Sequence, residues 1–220
     1  MEPRINIFVG HFGSGKTEIA INYAMKQAAK GKKVTIVDCD IVNTYFRTLD
    51  AKEALEEKGI SVIAPLFANS NLEMQMMPPE ILRVFEEKDT VVVFDVGGDE
   101  DGAFALGAYK QLFEREGYRM FFVINAKRPL TATADDAIEY MIDIEKASRL
   151  TITDLINNTN LSSETELDDI LAGDAVVAQA AEKAKLPYTY VAAKEELCKL
   201  LPDSLAKKAF GLSLYLQLSY

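Results

Sequence analysis

Residues 10–17 read GHFGSGKT, which satisfies the spacing G-x-x-x-x-G-K-[ST]. Each letter has a use against a polyphosphate. Gly10, Gly13 and Gly15 lack Cβ atoms, so their backbone N–H groups, together with that of Ser14, can turn inward and approach phosphate oxygens closely. A helix starting directly afterwards offers its positive end to the same anion. Lys16 would place its ammonium on the β- and γ-phosphates, and the Thr17 hydroxyl would ligate Mg²⁺. His11, the only histidine in the chain, stands inside the loop. At average glycine usage, a chance match in a chain of this length is below about one in a hundred.

Two further stretches supply carboxylates. TVVVFDV (90–96) delivers Asp95 at the end of an apolar run, followed by Gly97 and Gly98. A carboxylate there holds the Mg²⁺ shell through water beside the phosphates, and Asp95-x-x-Gly98 fits a switch in which a glycine N–H meets the γ-phosphate. In VDCDIVNTYFRT, Asp38 and Asp40 are two apart and share one side of a strand terminus, where open α/β sheets bind ligands. One can sit near Mg²⁺ and the other near an attacking water, while Cys39 between them points the other way and reads as filler rather than nucleophile. Beyond Lys16, the candidate cations for a transferring phosphoryl group are Arg47, Lys127 and Arg128.

The elements that must position these residues follow from periodicity. Short β-branched runs at 5–10, 32–38, 60–65, 90–96, 119–125, 152–157 and 188–193 alternate with helix-like segments at 18–30, 51–58, 79–88, 103–116, 134–148, 174–185 and 194–210. This predicts an α/β, P-loop NTPase fold: one domain over 1–220, a doubly wound, mostly parallel sheet of about seven strands, helices on both faces. The final GLSLYLQLSY alternates leucines at strand spacing, and its lack of basic residues argues against an amphipathic membrane anchor.

Composition narrows the partners. The chain has 24 Lys plus Arg against 34 Asp plus Glu, a formal charge of -10, so the general attraction to a nucleic-acid backbone is missing. Cys39 and Cys198 are far apart, with no C-x-x-C and no second histidine, which gives no disulfide framework and no zinc site. No apolar run reaches the ~18 residues of a membrane span, and the amino terminus lacks a signal-peptide core. The expectation is a cytoplasmic protein without stable membrane insertion.

GHFGSGKT, then VDCD after the second strand, then VFDVGG, in that order, resemble the MinD/ParA and CobQ/CobB nucleotide-binding family within the SIMIBI class of P-loop proteins. The resemblance covers roughly 4–193. It implies an Asp95 strand next to the cradle strand, MgATP binding and dimerisation across the nucleotide; it implies that Asp40 orients the attacking water and that Asp38 supports the metal. Many members carry a second lysine directly after the first glycine, reaching the partner subunit's nucleotide, and here that position is His11. The resemblance also implies an asparagine after a late strand that reads adenine, for which LINNTNL offers Asn157 or Asn158. A guanine-reading N-K-x-D is absent, the nearest string being NAKR at 125–128, so ATP is expected over GTP. The expected activity is an ATPase switch, slow without a partner, acting on a protein client, with cofactor or metalloenzyme maturation as a family analogy. A CobB-type small-molecule kinase or ligase is one alternative, and a nucleotide sensor that never turns over is another.

Overall fold

The computed structural model describes residues 3–39, 48–64, 79–98 and 100–216. Asp40, Arg47, Asp99 and the loop methionines Met74, Met76 and Met77 lie outside these. Among the described residues there are eight strands: β1 (Ile5–Val9), β2 (Lys33–Cys39), β3 (Ser61–Ile63), β4 (Thr90–Val96), β5 (Tyr118–Ile124), β6 (Asp154–Asn157), β7 (Tyr188–Lys194) and β8 (Ala209–Leu212). The helices in chain order are α1 (Lys16–Ala29), α2 (Lys52–Glu57), α3 (Arg83–Glu86), α4 (Glu100–Gly107), α5 (Lys110–Glu116), α6 (Ala134–Ser148), α7 (Leu167–Ala184), α8 (Glu195–Cys198) and α9 (Asp203–Ala206).

All strands pair in parallel, in the order β3-β2-β4-β1-β5-β6-β7-β8. The chain starts at β1 near the centre, winds out through β2 and β3, returns to β4, and then crosses β1 to lay down β5 to β8. The loop after β1 therefore opens at the reversal point, where a crevice forms at the carboxyl ends of the strands. Alternate residues of each strand feed two cores. Ile5, Ile7, Val9, Phe94 and Phe122 belong to one. Phe8, Ile36, Val93 and Phe121 belong to the other, under α1. On α1, Ile19, Ile21, Tyr23 and Ala24 are buried against that second face. Each isoleucine so buried contributes roughly 1.5–3 kcal/mol, which fixes the axis of the helix that carries Lys16 and Thr17.

The sequence expectation of a parallel α/β sheet holds, with an eighth strand added. Ala209 and Phe210 fall at the end of the 194–210 segment that reads as helix, and Gly211 and Leu212 at the start of the strand-like leucine alternation; Leu200, Leu201, Leu205 and Ala206 mimic a helical stripe, but the segment breaks at Pro202 into two single turns, α8 and α9. Beyond β8 the leucine alternation does not continue as a strand through residue 216. That segment is tied to α1 instead: the Glu18 carboxylate accepts from the N–H groups of Tyr215 (2.7 Å) and Leu216 (3.2 Å), and Ser213 and Asn22 bond reciprocally at 2.8 Å. Helix α7 begins at Leu167 rather than at 174. Gly173 is inside α7 because a Cβ there would come within 2.0 Å of the Thr159 hydroxyl, so only glycine lets the helix approach the loop after β6.

The β5–β6 pair is fastened near its start by a buried ion pair. Arg119 bonds Asp154 through two nitrogens, and Thr153 (2.7 Å) and Thr189 (2.5 Å) donate to the same carboxylate. Burial pushes the Asp154 carboxyl up, but the hydrogen bonds from Arg119, Thr189 and Thr153 outweigh it and hold it below the ordinary value. A carboxyl depressed in the folded state contributes stability that is present above the unfolded value of ~3.9 and is lost as pH falls through the folded value. Replacing Arg119 with Ala leaves a buried charge without its partner, so chemical denaturation at pH 7 is expected to show a loss of about 3 kcal/mol. The difference between the two proteins is expected to shrink below pH ~4; a deficit that is the same at pH 7 and pH 3 would contradict the assignment.

Candidate functional site

Strand β1 is followed by Gly10, whose φ of +152° and surroundings admit no side chain: a Cβ would stand 2.5 Å from the Val123 carbonyl oxygen of β5. The loop then turns, with Ser14 N–H donating to the His11 carbonyl at 3.0 Å, and enters α1 through Gly15 in the left-handed region (φ +82°). No side chain caps α1. The N–H groups of its first turn are thus left for an anion, the condition that makes a helix start a phosphate site.

Lys16 is only 5% exposed and forms no ion pair among the described residues. Burying an ammonium without an anion is costly, so the position makes chemical sense when a phosphate supplies the charge. The Ser14 hydroxyl is also fully buried and has no hydrogen-bond partner among the described residues. These two observations and the uncapped helix are the test for a bound polyphosphate, and the residues fit it. Thr17, half-buried on the next helical position, has the hydroxyl that would ligate Mg²⁺.

Asp38 and Asp95 are cross-strand partners in the β2–β4 register. Both are 1% exposed, and each stands two residues after, and so on the same strand face as, Ile36 or Val93, whose side chains belong to the core under α1. Both carboxylates therefore lie on the face that α1 covers, at the carboxyl end of the sheet, while Cys39 is in the opposite core. Asp95 accepts from the Thr48 hydroxyl at 2.9 Å. Thr48 is wholly buried and directly follows the undescribed segment that contains Asp40 and Arg47. Among the described residues, no three His, Cys, Asp or Glu side chains converge as a self-sufficient metal cage.

Gly98 lies hard against the loop. A Cβ on it would stand 2.6 Å from the Phe12 nitrogen and 2.9 Å from the Lys16 ammonium. Its carbonyl accepts a 2.5 Å bond from the Tyr140 hydroxyl of α6, and the Tyr140 ring meets His11 edge-on with centroids 5.2 Å apart. Helix α6 is placed for this by its capping box, Thr133 and Asp136 each bonding the other's backbone N–H. The His11 imidazole is pushed below its ordinary pKa, chiefly by burial and further by the charges of Lys16 and Arg128. The ring packs edge-on against Tyr140, and burial holds it toward its neutral form.

The two asparagines take different places. Asn157 donates to the Ile170 carbonyl (3.1 Å) and accepts from Thr159 N–H (2.9 Å), which turns its amide into the α7 contact and away from the loop. Asn158 donates at 2.7 Å to the Ser14 carbonyl and fills the space that a Gly15 Cβ would need, 2.3 Å from its nitrogen. Sequence reasoning missed the brace behind it. Asn125 bonds Asn160 through side chain to carbonyl (3.2 Å) and through side-chain oxygen to N–H (3.3 Å), and the Thr159 hydroxyl accepts from Ala126 N–H (3.1 Å). The signal was present as polar residues directly after two apolar runs, Asn125 after β5 and Thr159 and Asn160 after β6. Thr48 and Tyr140 left no such signal, since each is far in sequence from what it holds.

No protein-family model and no curated protein matches the chain. Solved structures do. The cell division protein FtsY of Thermotoga maritima superposes with a TM-score of 0.59 at 17% identity, covering 89% of this chain and 64% of that one. The signal recognition particle receptor FtsY of Elizabethkingia anophelis gives 0.55 at 18% identity, with 91% and 62% covered. The signal recognition particle 54 kDa protein of Aeropyrum pernix K1, in complex with GDP, gives 0.52 at 20%, with 90% and 43% covered. The chain thus spans less than two thirds of the length of these structures. They are SIMIBI-class P-loop NTPases, so the likeness shows the P-loop NTPase fold; it does not single out MinD/ParA or CobQ/CobB within that class.

If Asn158 anchors the loop rather than reading a base, Asn158→Ala removes one buried hydrogen bond worth about 1–1.5 kcal/mol. Calorimetric titration is then expected to show roughly tenfold weaker binding of adenine and guanine nucleotides alike. A loss confined to one base would assign Asn158 to base recognition instead.

Proposed function

We propose that the chain is a nucleotide-dependent switch that binds MgATP in the 10–17 loop, hydrolyses it slowly, and changes its hold on a protein client as it does so. The observation that carries this reading is the buried Lys16 ammonium with no ion pair among the described residues, set at an uncapped helix start. The Ser14 hydroxyl beside it, without a hydrogen-bond partner among the described residues, supports the same anion. Gly10, His11, Gly13, Ser14, Gly15, Lys16 and Thr17 would cradle the phosphates, and Thr17 with Asp95 and Asp38 would hold Mg²⁺. The metal would neutralise charge that develops on the phosphates.

The switch would run through Gly98 and Thr48. Gly98 touches the loop on one side and Tyr140 on the other, so a γ-phosphate that drew the Gly98 N–H inward would pull on α6. Thr48 ties Asp95 to the segment carrying Asp40, which we assign to positioning the attacking water. ATP is preferred in this reading because N-K-x-D is lacking; the 54 kDa neighbour binds GDP, so both bases belong in the test. Nucleotide-dependent self-association is part of the proposal, with His11 in the place of a lysine reaching across it.

The experiment is light-scattering size measurement, client copurification and phosphate release, each with MgATP, MgADP, MgGTP and no nucleotide, and with Lys16→Ala as control. Slow turnover and nucleotide-dependent size or client binding are expected, all abolished in Lys16→Ala. Removing a buried charged contact to phosphate is expected to weaken binding at least tenfold. Behaviour that ignores nucleotide in both proteins would reject the switch, and phosphate passed to a metabolite would select the kinase reading.

A further inference from the structure

We propose that Arg128 supplies a second positive charge to the outer phosphates of a bound nucleoside triphosphate, delivered from the loop after β5, so that the site distinguishes tri- from diphosphate. The inference rests on the nucleotide-binding reading above and adds a residue to it. Of the three cations near a strand end, Lys127 is committed elsewhere, paired with Asp169 at 2.7 Å on the α7 side, and Arg47 lies outside the described residues. Arg128 is different. Its Nε donates at 3.2 Å to the Gly13 carbonyl, and its guanidinium carbon stands 3.2 Å from where a Gly13 Cβ would be. The planar group therefore lies against the turn of the cradle itself.

The remaining N–H groups point to a ligand role. A guanidinium has five donors, and among the described residues Arg128 uses one; it forms no ion pair with a described carboxylate, and the residue is exposed. With Nε held by Gly13, the two terminal nitrogens form the free fork that matches phosphate oxygens. The backbone beneath is fixed before any ligand arrives. Arg128 N–H bonds the Asn125 carbonyl (3.0 Å), Thr131 N–H bonds the Arg128 carbonyl (3.0 Å), the Thr131 hydroxyl bonds Asn125 (2.8 Å), and Pro129 follows directly. Little ordering remains to be done at the moment of binding.

Position 11 explains why such a residue is needed. With histidine rather than lysine at position 11, Lys16 is the one Lys or Arg of the 10–17 loop, and a single ammonium leaves most of a triphosphate's charge unbalanced, more of it than on a diphosphate. Arg128 is close enough to His11 for its charge to act on the imidazole alongside that of Lys16.

The test is calorimetric titration of MgATP, MgADP, MgGTP and MgGDP into the unsubstituted chain, Arg128→Ala and Arg128→Lys, at protein concentrations below any self-association. Arg128→Ala is expected to lose tenfold or more in triphosphate affinity, with diphosphate affinity within about twofold. Arg128→Lys is expected to recover part of the triphosphate preference. Equal losses for tri- and diphosphate would show a loop anchor on Gly13 and overturn the proposal, as would no loss for either. If the unsubstituted chain binds none of the four, the nucleotide reading fails first; if it binds and only the ratio ignores Arg128, this inference alone fails.

Discussion

Lys16 has its amine at the start of α1 in a place where water scarcely reaches, with no ion pair among the described residues. Holding that arrangement open until an anion arrives is the constraint that the rest of the molecule serves. Helix α1 is clamped on the sheet by its apolar face and by the Tyr23 hydroxyl, which donates to buried Asn6 at 3.0 Å. The loop before it is pressed between Gly98 on one side and Asn158 on the other. Neither neighbour has slack: each contact leaves no room for a Cβ. A loop confined in this way loses little entropy when it binds, which is how a backbone cradle gains affinity.

The same confinement couples the site to distant elements. Gly98 is shared between the loop and Tyr140, so a small shift of the β4 end must be taken up by α6. Thr48 holds Asp95 from the far end of the segment carrying Asp40. Close-packed contacts respond to such a shift by changing between discrete arrangements rather than by stretching. On the β6 side the loops after β5 and β6 are bonded to each other through Asn125, Thr159 and Asn160, and the Arg119–Asp154 pair fastens the beginnings of the same two strands. On the β2–β4 side the described ties are single contacts, Thr48 to Asp95 and Tyr140 to Gly98.

Much of this was legible in the sequence because its signals are local. The loop reads from eight consecutive letters, and the parallel sheet from β-branched runs whose residues are buried on both faces. Asp38 and Asp95 could be placed at strand ends without coordinates, and their shared register follows from β2 and β4 being neighbours. What stayed hidden depends on residues far apart in the chain. Tyr140 and Gly98 are 42 positions apart, Thr48 and Asp95 are 47 apart, and Arg128 and Gly13 are 115 apart. The asparagines show the limit most clearly. Adjacent letters in one string separate into a helix contact for Asn157 and a loop anchor for Asn158, because successive residues leaving a strand face opposite ways. At the carboxyl end, a leucine stripe with two periods was resolved by Pro202 and by the pairing of β8 with β7.

In the function proposed above, the 10–17 loop is a nucleotide cradle completed by an anion at Lys16. The most direct measurement is thermal unfolding of the unsubstituted chain over a concentration series of MgATP and MgGTP. Binding to the folded state raises stability by RT ln(1 + [L]/Kd), so at a hundredfold excess over Kd the gain is about 2.7 kcal/mol. In a chain of this size that corresponds to a shift of roughly 5–10 °C. A rise that follows this logarithm and disappears in Lys16→Ala is the expected result. A melting temperature unmoved by millimolar concentrations of either nucleotide would contradict it.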